Sequence, residues 1–182
     1  MKSPQTWFIV DVETDGPCPG LYSMVSIGVV KLDRALGQTF YGILGPLPDA
    51  RGFEPEALAV SGTSRNQHLD YPPPENATYG LSNWVHEVAG DTKPVFVSDN
   101  PGFDFAFVSY YMHRFVGKNV FGHSSRRIGD IYSGQVNDAS KSSYWRQFRK
   151  TPQTHNPVDD AMGVAEALLH MVDHMGLKIE GL

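Results

Sequence analysis

Trp7-Phe8-Ile9-Val10-Asp11-Val12-Glu13 is the stretch on which the rest of the chain turns. Its unbroken apolar run, Trp7 to Val10, leads straight into Asp11, the pattern of a strand buried on both faces in the middle of a sheet. Side chains alternate faces along a strand, so Asp11 and Glu13 point the same way from its C-terminal end. Two carboxylates aimed together raise one another's pKa, so they either share a proton or are neutralised by a cation. A strand running out into an acidic loop would give the same letters, and Asp-x-Glu alone does not decide between them. The residues that follow, Thr14-Asp15-Gly16-Pro17, are turn chemistry, with Gly16 free to take a positive φ and Pro17 fixing its own.

Two distant segments carry acids in comparable settings. Val95-Phe96-Val97 reads as another buried strand, and Asn100-Pro101 then starts a helix, Asn100 as cap and Pro101 in the first helical position. Asp104 falls in the first turn, where the helix dipole favours an acid whether or not it has a function. Phe103, Phe107, Tyr110 and Tyr111 have helical spacing and belong to the core, with Phe103 alone kept as a neighbour of the site. Asn156-Pro157 repeats the capping device and predicts a helix running to about residue 175, with Val158, Met162, Ala165, Leu169 and Val172 as its buried stripe. Asp160 lies about 200° around the helix from Val158, facing a cleft or solvent. His155 precedes the cap in a loop, and its position relative to Asp160 distinguishes it from the other histidines. If the three segments converge, Asp11, Glu13, Asp104 and Asp160 form a four-carboxylate metal cup with His155 beside it.

Taken together, Asp11-x-Glu13-Thr14-x-Gly16, Asn100-x-x-Phe103-Asp104 and His155-x-x-x-x-Asp160 resemble the three motifs of the DnaQ-like, or DEDDh, 3′→5′ exonucleases. Pro55 to Thr63 resembles the helical turn those enzymes place after their third strand, and Ile27-Gly28-Val29-Val30 their second strand, so the likeness covers most of residues 7–175. Where several members have a histidine before the asparagine of the second motif, this chain has Asp99. The resemblance implies the ribonuclease H-like fold and phosphodiester hydrolysis to 5′-mononucleotides at the 3′ end of a single-stranded nucleic acid. It also implies two divalent cations, roughly 3.5–4 Å apart, one activating water and the other stabilising the leaving 3′ oxygen. Oxygen ligands suit Mg²⁺ or Mn²⁺ rather than zinc. On that pattern Asp11 bridges both ions, Glu13 and Asp160 hold the water-activating one, and Asp104 supports the other. His155 takes the water's proton, a role suited to an imidazole of ordinary pKa ~6.5. Thr14, Gly16, Asn100 and Phe103 are the expected substrate contacts within the motifs.

Composition agrees with an ordinary enzyme. At 182 residues, 41% of them hydrophobic, the chain is long enough for one substantial core and short for two, so residues 1–182 are read as a single domain. No apolar run approaches the ~18 residues needed to span a membrane. Asp11 lies so close to the start that cleaving a leader would remove the site. The single Cys18 allows no internal disulfide, which fits a reducing cytoplasm.

A net charge of −5 is unusual for a nucleic-acid binder, since phosphate neutralisation drives such binding, but an enzyme gripping only a few terminal nucleotides needs less of it. Local positive charge exists at Arg126-Arg127 and in the basic and aromatic stretch Lys141 to Lys150. There Arg146 and Arg149 could guide a single strand, or the stretch is a solvated amphipathic helix with its aromatics in the core. Some relatives are dimers that bring a basic patch of one subunit near the site of the other, and a homodimer would ease the charge balance.

Strands near 7–11, 23–33 and 38–44, the last two joined by a turn at Leu36-Gly37, form a meander. Tyr71-Pro72-Pro73-Pro74 is a stiff loop before a helix over roughly 77–89, a fourth strand follows near 94–98, and a fifth lies around Val120 or 127–130. Strands first, then strands alternating with helices, give an α/β fold with one mixed five-stranded sheet flanked by helices. Contacts to a 2′-hydroxyl, which separate RNA from DNA, have no sequence signature here. A small free-standing chain without a polymerase-binding tail leans toward RNA or short oligonucleotides, hence an exoribonuclease. DNA proofreading or repair is the alternative within the family, and a catalytically inactive binding module the alternative outside it.

Overall fold

The computed structural model describes residues 4–182. β1 (Gln5–Thr14), β2 (Met24–Lys31) and β3 (Thr39–Ile43) form the expected antiparallel meander. Two short helices, α1 (Pro55–Val60) and α2 (Arg65–Leu69), lead to α3 (Pro74–Ala89), which starts on the last proline of the stiff loop. β4 (Lys93–Ser98) then pairs parallel to β1, and α4 (Asp104–Tyr111) runs into a π turn over Met112–Val116. β5 (Ser125–Arg127) pairs parallel to β4, followed by α5 (Ile128–Val136) and the long α6 (Pro157–Met175). The sheet order is β3-β2-β1-β4-β5, a mixed sheet of five strands with β1 at its centre.

The alternation along β1 divides the core. Phe8, Val10 and Val12 pack with Leu81, Val85, Phe107 and Tyr111 on the face covered by α3 and α4. Trp7 and Ile9 pack with Ile128, Trp145, Val164 and Leu168 on the face covered by α5 and α6. Asp11 and Glu13 continue the second series, so both carboxylates emerge on the α6 face, inside the strand rather than beyond its end. A register shift between Glu13 and Thr14 ends the regular pairing there.

Several local expectations differ from the structure for identifiable reasons. In α6 the buried side chains include Ala161, Val164, Ala165, Ala167, Leu168 and Met171, so the stripe is rotated from the one drawn through the larger apolar residues. The helix approaches the sheet through its small residues, and Gly28 of β2 permits it: a Cβ there would lie 2.2 Å from the carbonyl carbon of Pro157. Asn156 caps α6 as expected, its side chain accepting from the Val158 N–H at 3.0 Å. Asn100 does not repeat the device. Regular helix begins only at Asp104, and the bond is reversed, with the Asn100 N–H donating to Asp104 Oδ2 at 3.3 Å.

Gly16 uses no positive φ; it is required because the Tyr22 ring lies where its Cβ would be, 2.1 Å away. In the turn at 36–37 it is Leu36 that takes the left-handed conformation, at φ 49°. The basic stretch forms short 3₁₀ turns over Ala139–Lys141 and Tyr144–Phe148 rather than an amphipathic helix, although Trp145 is fully buried. α2 and α5 had no counterpart in the sequence reading. Among the described residues no helix is long and apolar enough to cross a membrane.

The contact at Gly28 is a close joint between sheet and α6. Gly28→Ala is expected to cost about 1–3 kcal/mol in urea unfolding, as overpacked interiors do. An unchanged midpoint would show that α6 yields freely at that point.

Candidate active site

The three acidic segments meet at one end of β1. Asp11 and Glu13 arrive on the strand, Asp104 opens α4, and Asp160 sits in the first turn of α6. Glu13, Asp104 and Asp160 are buried. One donor atom each from Glu13, His155 and Asp160 lie within 4.8 Å of one another, and His155 Nδ1 is 3.7 Å from Glu13 Oε1. The His155 side chain is 49% exposed, leaving its ring accessible from outside the cup. His155 is held with φ at 61°, a left-handed conformation uncommon for a residue with a Cβ.

Each acid is anchored differently. Asp104 accepts the Asn100 N–H, while Asp160 accepts the N–H groups of Thr154 and His155, both at 3.2 Å. Asp160 Oδ1 also takes Nη2 of Arg149 at 3.0 Å. Burial first, and then the neighbouring carboxylates Asp104, Glu13 and Asp160, hold Asp11 well above the usual carboxylate range, with Arg149 pulling the other way. Burial, then Asp160 and Asp104, push Glu13 up to about 7. Asp104 is likewise pushed up to about 7, burial outweighing the hydrogen bond from Asn100. The donors are hard carboxylate oxygens crowded together with little positive charge among them, which fits a divalent cation of the Mg²⁺ or Mn²⁺ kind.

The remaining expected site residues are placed as follows. Thr14, the last residue of β1, donates its hydroxyl to the Gly16 carbonyl at 2.9 Å, and both residues are buried. Asn100 is exposed at the mouth beside Asp104, whereas Phe103 packs into the core with its ring 5.0 Å from that of Phe107. Both arginines of the basic stretch have carboxylate partners. Arg146 pairs with Asp99 at 2.5 Å, and Arg149 with Asp160. Asp99 also accepts Nε of Arg127 on its backbone carbonyl at 2.9 Å, so the end of β4 is tied to the 144–148 segment through Arg146 and to β5 through Arg127.

One feature left no signal in the sequence. Asp15, read as turn material, is fully buried, accepts the Ser23 N–H at 2.5 Å, pairs with Arg65 of α2 at 3.3 Å and lies 3.6 Å from Nδ1 of His68. It fastens α2 against the loop that follows Glu13. The pairing joins residues 50 positions apart, beyond any local pattern.

Comparison with protein-family models finds no match. Among curated proteins, the 3′-5′ DNA exonuclease Cap18 of Escherichia coli is 35% identical over 191 aligned positions, covering 98% of this chain and 97% of that protein. Among solved structures, the nuclease domain of 3′hExo, a DEDDh family member bound to rAMP, superposes with a TM-score of 0.73 at 15% identity, covering 96% of both chains. The cell-death related nuclease CRN-4 gives 0.71 at 13% identity, covering 94% of this chain and 64% of that one. Exonuclease I of E. coli with a dT13 oligonucleotide gives 0.66 at 14%, covering 94% and 41%. At such identities these three structures establish the shared fold.

The raised carboxylates set a pH dependence. Between their ordinary values, 3.8 for Asp104 and 4.5 for Glu13, and about 7, the folded protein holds protons that the unfolded chain has released. Stability from this source is therefore lost as pH rises through that window. His68, lowered to about 4 by burial, works in the opposite direction, but it lies outside the cup and cancels in a comparison with and without metal. The melting-temperature gain from saturating Mn²⁺ over chelator is expected to grow from pH 5 to pH 7.5. A gain that is constant or shrinks with pH would contradict this charge assignment.

Proposed function

The chain belongs to the DnaQ-like, DEDDh 3′→5′ exonuclease family, and from that premise we propose that it removes mononucleotides from the 3′ end of single-stranded DNA, with His155 as general base. The observation that carries the proposal is the convergence of Glu13, Asp160 and His155 donor atoms within 4.8 Å at the end of the central strand, beside Asp11 and Asp104.

In this reading Asp11, Glu13, Asp104 and Asp160 would hold two divalent cations, Mg²⁺ or Mn²⁺. Such ions lower the pKa of water and stabilise the negative charge that develops on the leaving oxygen. The chain's own groups do the rest. A water hydrogen-bonded to Glu13 meets the imidazole of His155, whose Nδ1 edge faces that carboxylate. The imidazole accepts the proton as the water oxygen attacks phosphorus; the bond from phosphorus to the 3′ oxygen breaks, releasing a 5′-mononucleotide. Two backbone N–H bonds to Asp160 hold the His155 loop in place while this happens.

DNA is preferred as the substrate because the relative that matches along nearly its whole length is named a DNA exonuclease. The lean toward RNA, drawn from the small size of the chain, gains no support from that relative. Arg146 and Arg149 are too well paired to be the main strand guide, and Thr14 and Gly16 are buried, so in this reading the grip falls to the exposed rim around Asn100.

Incubating 5′-labelled single-stranded DNA and RNA of one sequence with Mg²⁺ or Mn²⁺ is expected to give a descending ladder on DNA that chelator abolishes. A ladder on RNA alone would overturn the substrate, and none on either polymer would overturn the activity. His155→Ala should lower kcat by about 10²–10⁴-fold while Mn²⁺ binding persists. An unchanged rate at saturating metal would remove His155 from the mechanism.

A further inference from the structure

Arg149 stands in the sequence as one cation of a basic stretch, yet its side chain is only 12% exposed. Its Nη2 donates to Asp160 Oδ1 at 3.0 Å and its Nε to the Thr151 carbonyl at 3.2 Å. The guanidinium plane lies against Gly163, one turn along α6 from Asp160. A Cβ at Gly163 would stand 2.4 Å from Nε and 2.6 Å from Cζ, so any larger residue would displace the group. Gly163 has no positive φ to explain it, and the seat for the guanidinium accounts for it.

The same carboxylate gathers the loop that carries the proposed base. Asp160 accepts Thr154 N–H on Oδ1 and His155 N–H on Oδ2, and His155 is held in its left-handed conformation by these contacts. On the next turn of α6, Glu166 accepts Lys150 N–H and Thr151 N–H, both at 2.7 Å, and the Thr151 hydroxyl at 2.9 Å. Residues 149–155 are therefore clamped at both ends to one helix, and Arg149 alone links the loop carbonyl to the Asp160 carboxylate through a single rigid group. A lysine ammonium has the charge but not the planar fork that spans the two acceptors.

We propose that Arg149 is a positioning residue of the exonuclease site, orienting Asp160 toward the metals and the 151–155 loop toward the water that His155 deprotonates. The proposal rests on the exonuclease reading above. It differs from a phosphate-guiding role, because two of the donors and most of the side-chain surface are committed inside the protein.

Two variants that keep the positive charge separate geometry from electrostatics. Arg149→Lys alters the fork, and Gly163→Ala keeps the arginine but fills the seat of its guanidinium and so displaces it. Each is checked by circular dichroism and assayed well below its melting temperature, first for Mn²⁺ binding by electron paramagnetic resonance without substrate, then for kcat and KM on a 5′-labelled single-stranded oligonucleotide. Both should weaken Mn²⁺ binding by about 10–100-fold and lower kcat at saturating Mn²⁺ by a similar factor, with KM little changed. A raised KM with Mn²⁺ affinity and kcat at the wild-type level would identify a substrate contact instead and overturn the proposal, as would wild-type values throughout. If Gly163→Ala does not fold, Arg149→Lys alone decides. If the wild-type protein cuts neither polymer, the exonuclease reading fails, and unchanged Mn²⁺ binding in Arg149→Lys would then separately sink the orienting role.

Discussion

Mutual repulsion among carboxylates brought together in a buried place is the constraint on which the rest of the molecule depends. Asp11, Glu13 and Asp104 are all held above the ordinary carboxylate range, burial being the first cause in each case. Left to itself such a cluster would spread or take up protons. The fold prevents the first by mounting each acid on a different rigid element. Asp11 and Glu13 sit on the central strand, Asp104 at the start of one helix, and Asp160 at the start of another. The repulsion thus becomes an affinity for divalent cations, at the expense of stability in the metal-free protein.

Holding the cluster together falls to close backbone approaches and to hydrogen bonds from the neighbouring loops. Gly28 lets the start of α6 press onto the sheet beside Asp11, and Gly163 lets a guanidinium lie flat on the same helix. Buried Asp15, through Arg65, ties α2 to the loop after Glu13. Asp99 proves to be a tie from the end of β4 to the 144–148 segment through Arg146 and to β5 through Arg127. Its negative charge also adds to the upward pressure on Asp104.

The central strand and the acids of the cup were legible because their signals are local: an unbroken apolar run ending in Asp-x-Glu, and Asn-Pro at a helix start. The device failed at Asn100, where a carboxylate one turn on accepts the backbone N–H and the helix begins later. The buried face of α6 was misjudged because large apolar residues were weighted over alanine and glycine, whereas a helix close to a sheet is seated on its small residues. Arg149 and Asp15 were invisible for a different reason. The carboxylate that Arg149 meets lies 11 positions away in sequence and the arginine that Asp15 meets 50, and only the folded chain brings them together.

The most direct test of the account is proton release on metal binding. Glu13 and Asp104, both near 7, are partly protonated at neutral pH and must give up those protons when a divalent cation enters. Titrating Mn²⁺ into the protein at pH 7 in buffers of different ionisation enthalpy should show release of about one proton or more per chain, decreasing by pH 9 as Glu13 and Asp104 ionise beforehand. Binding heats that do not depend on the buffer at pH 7 would mean that the acids are already fully ionised, and the central claim would fail.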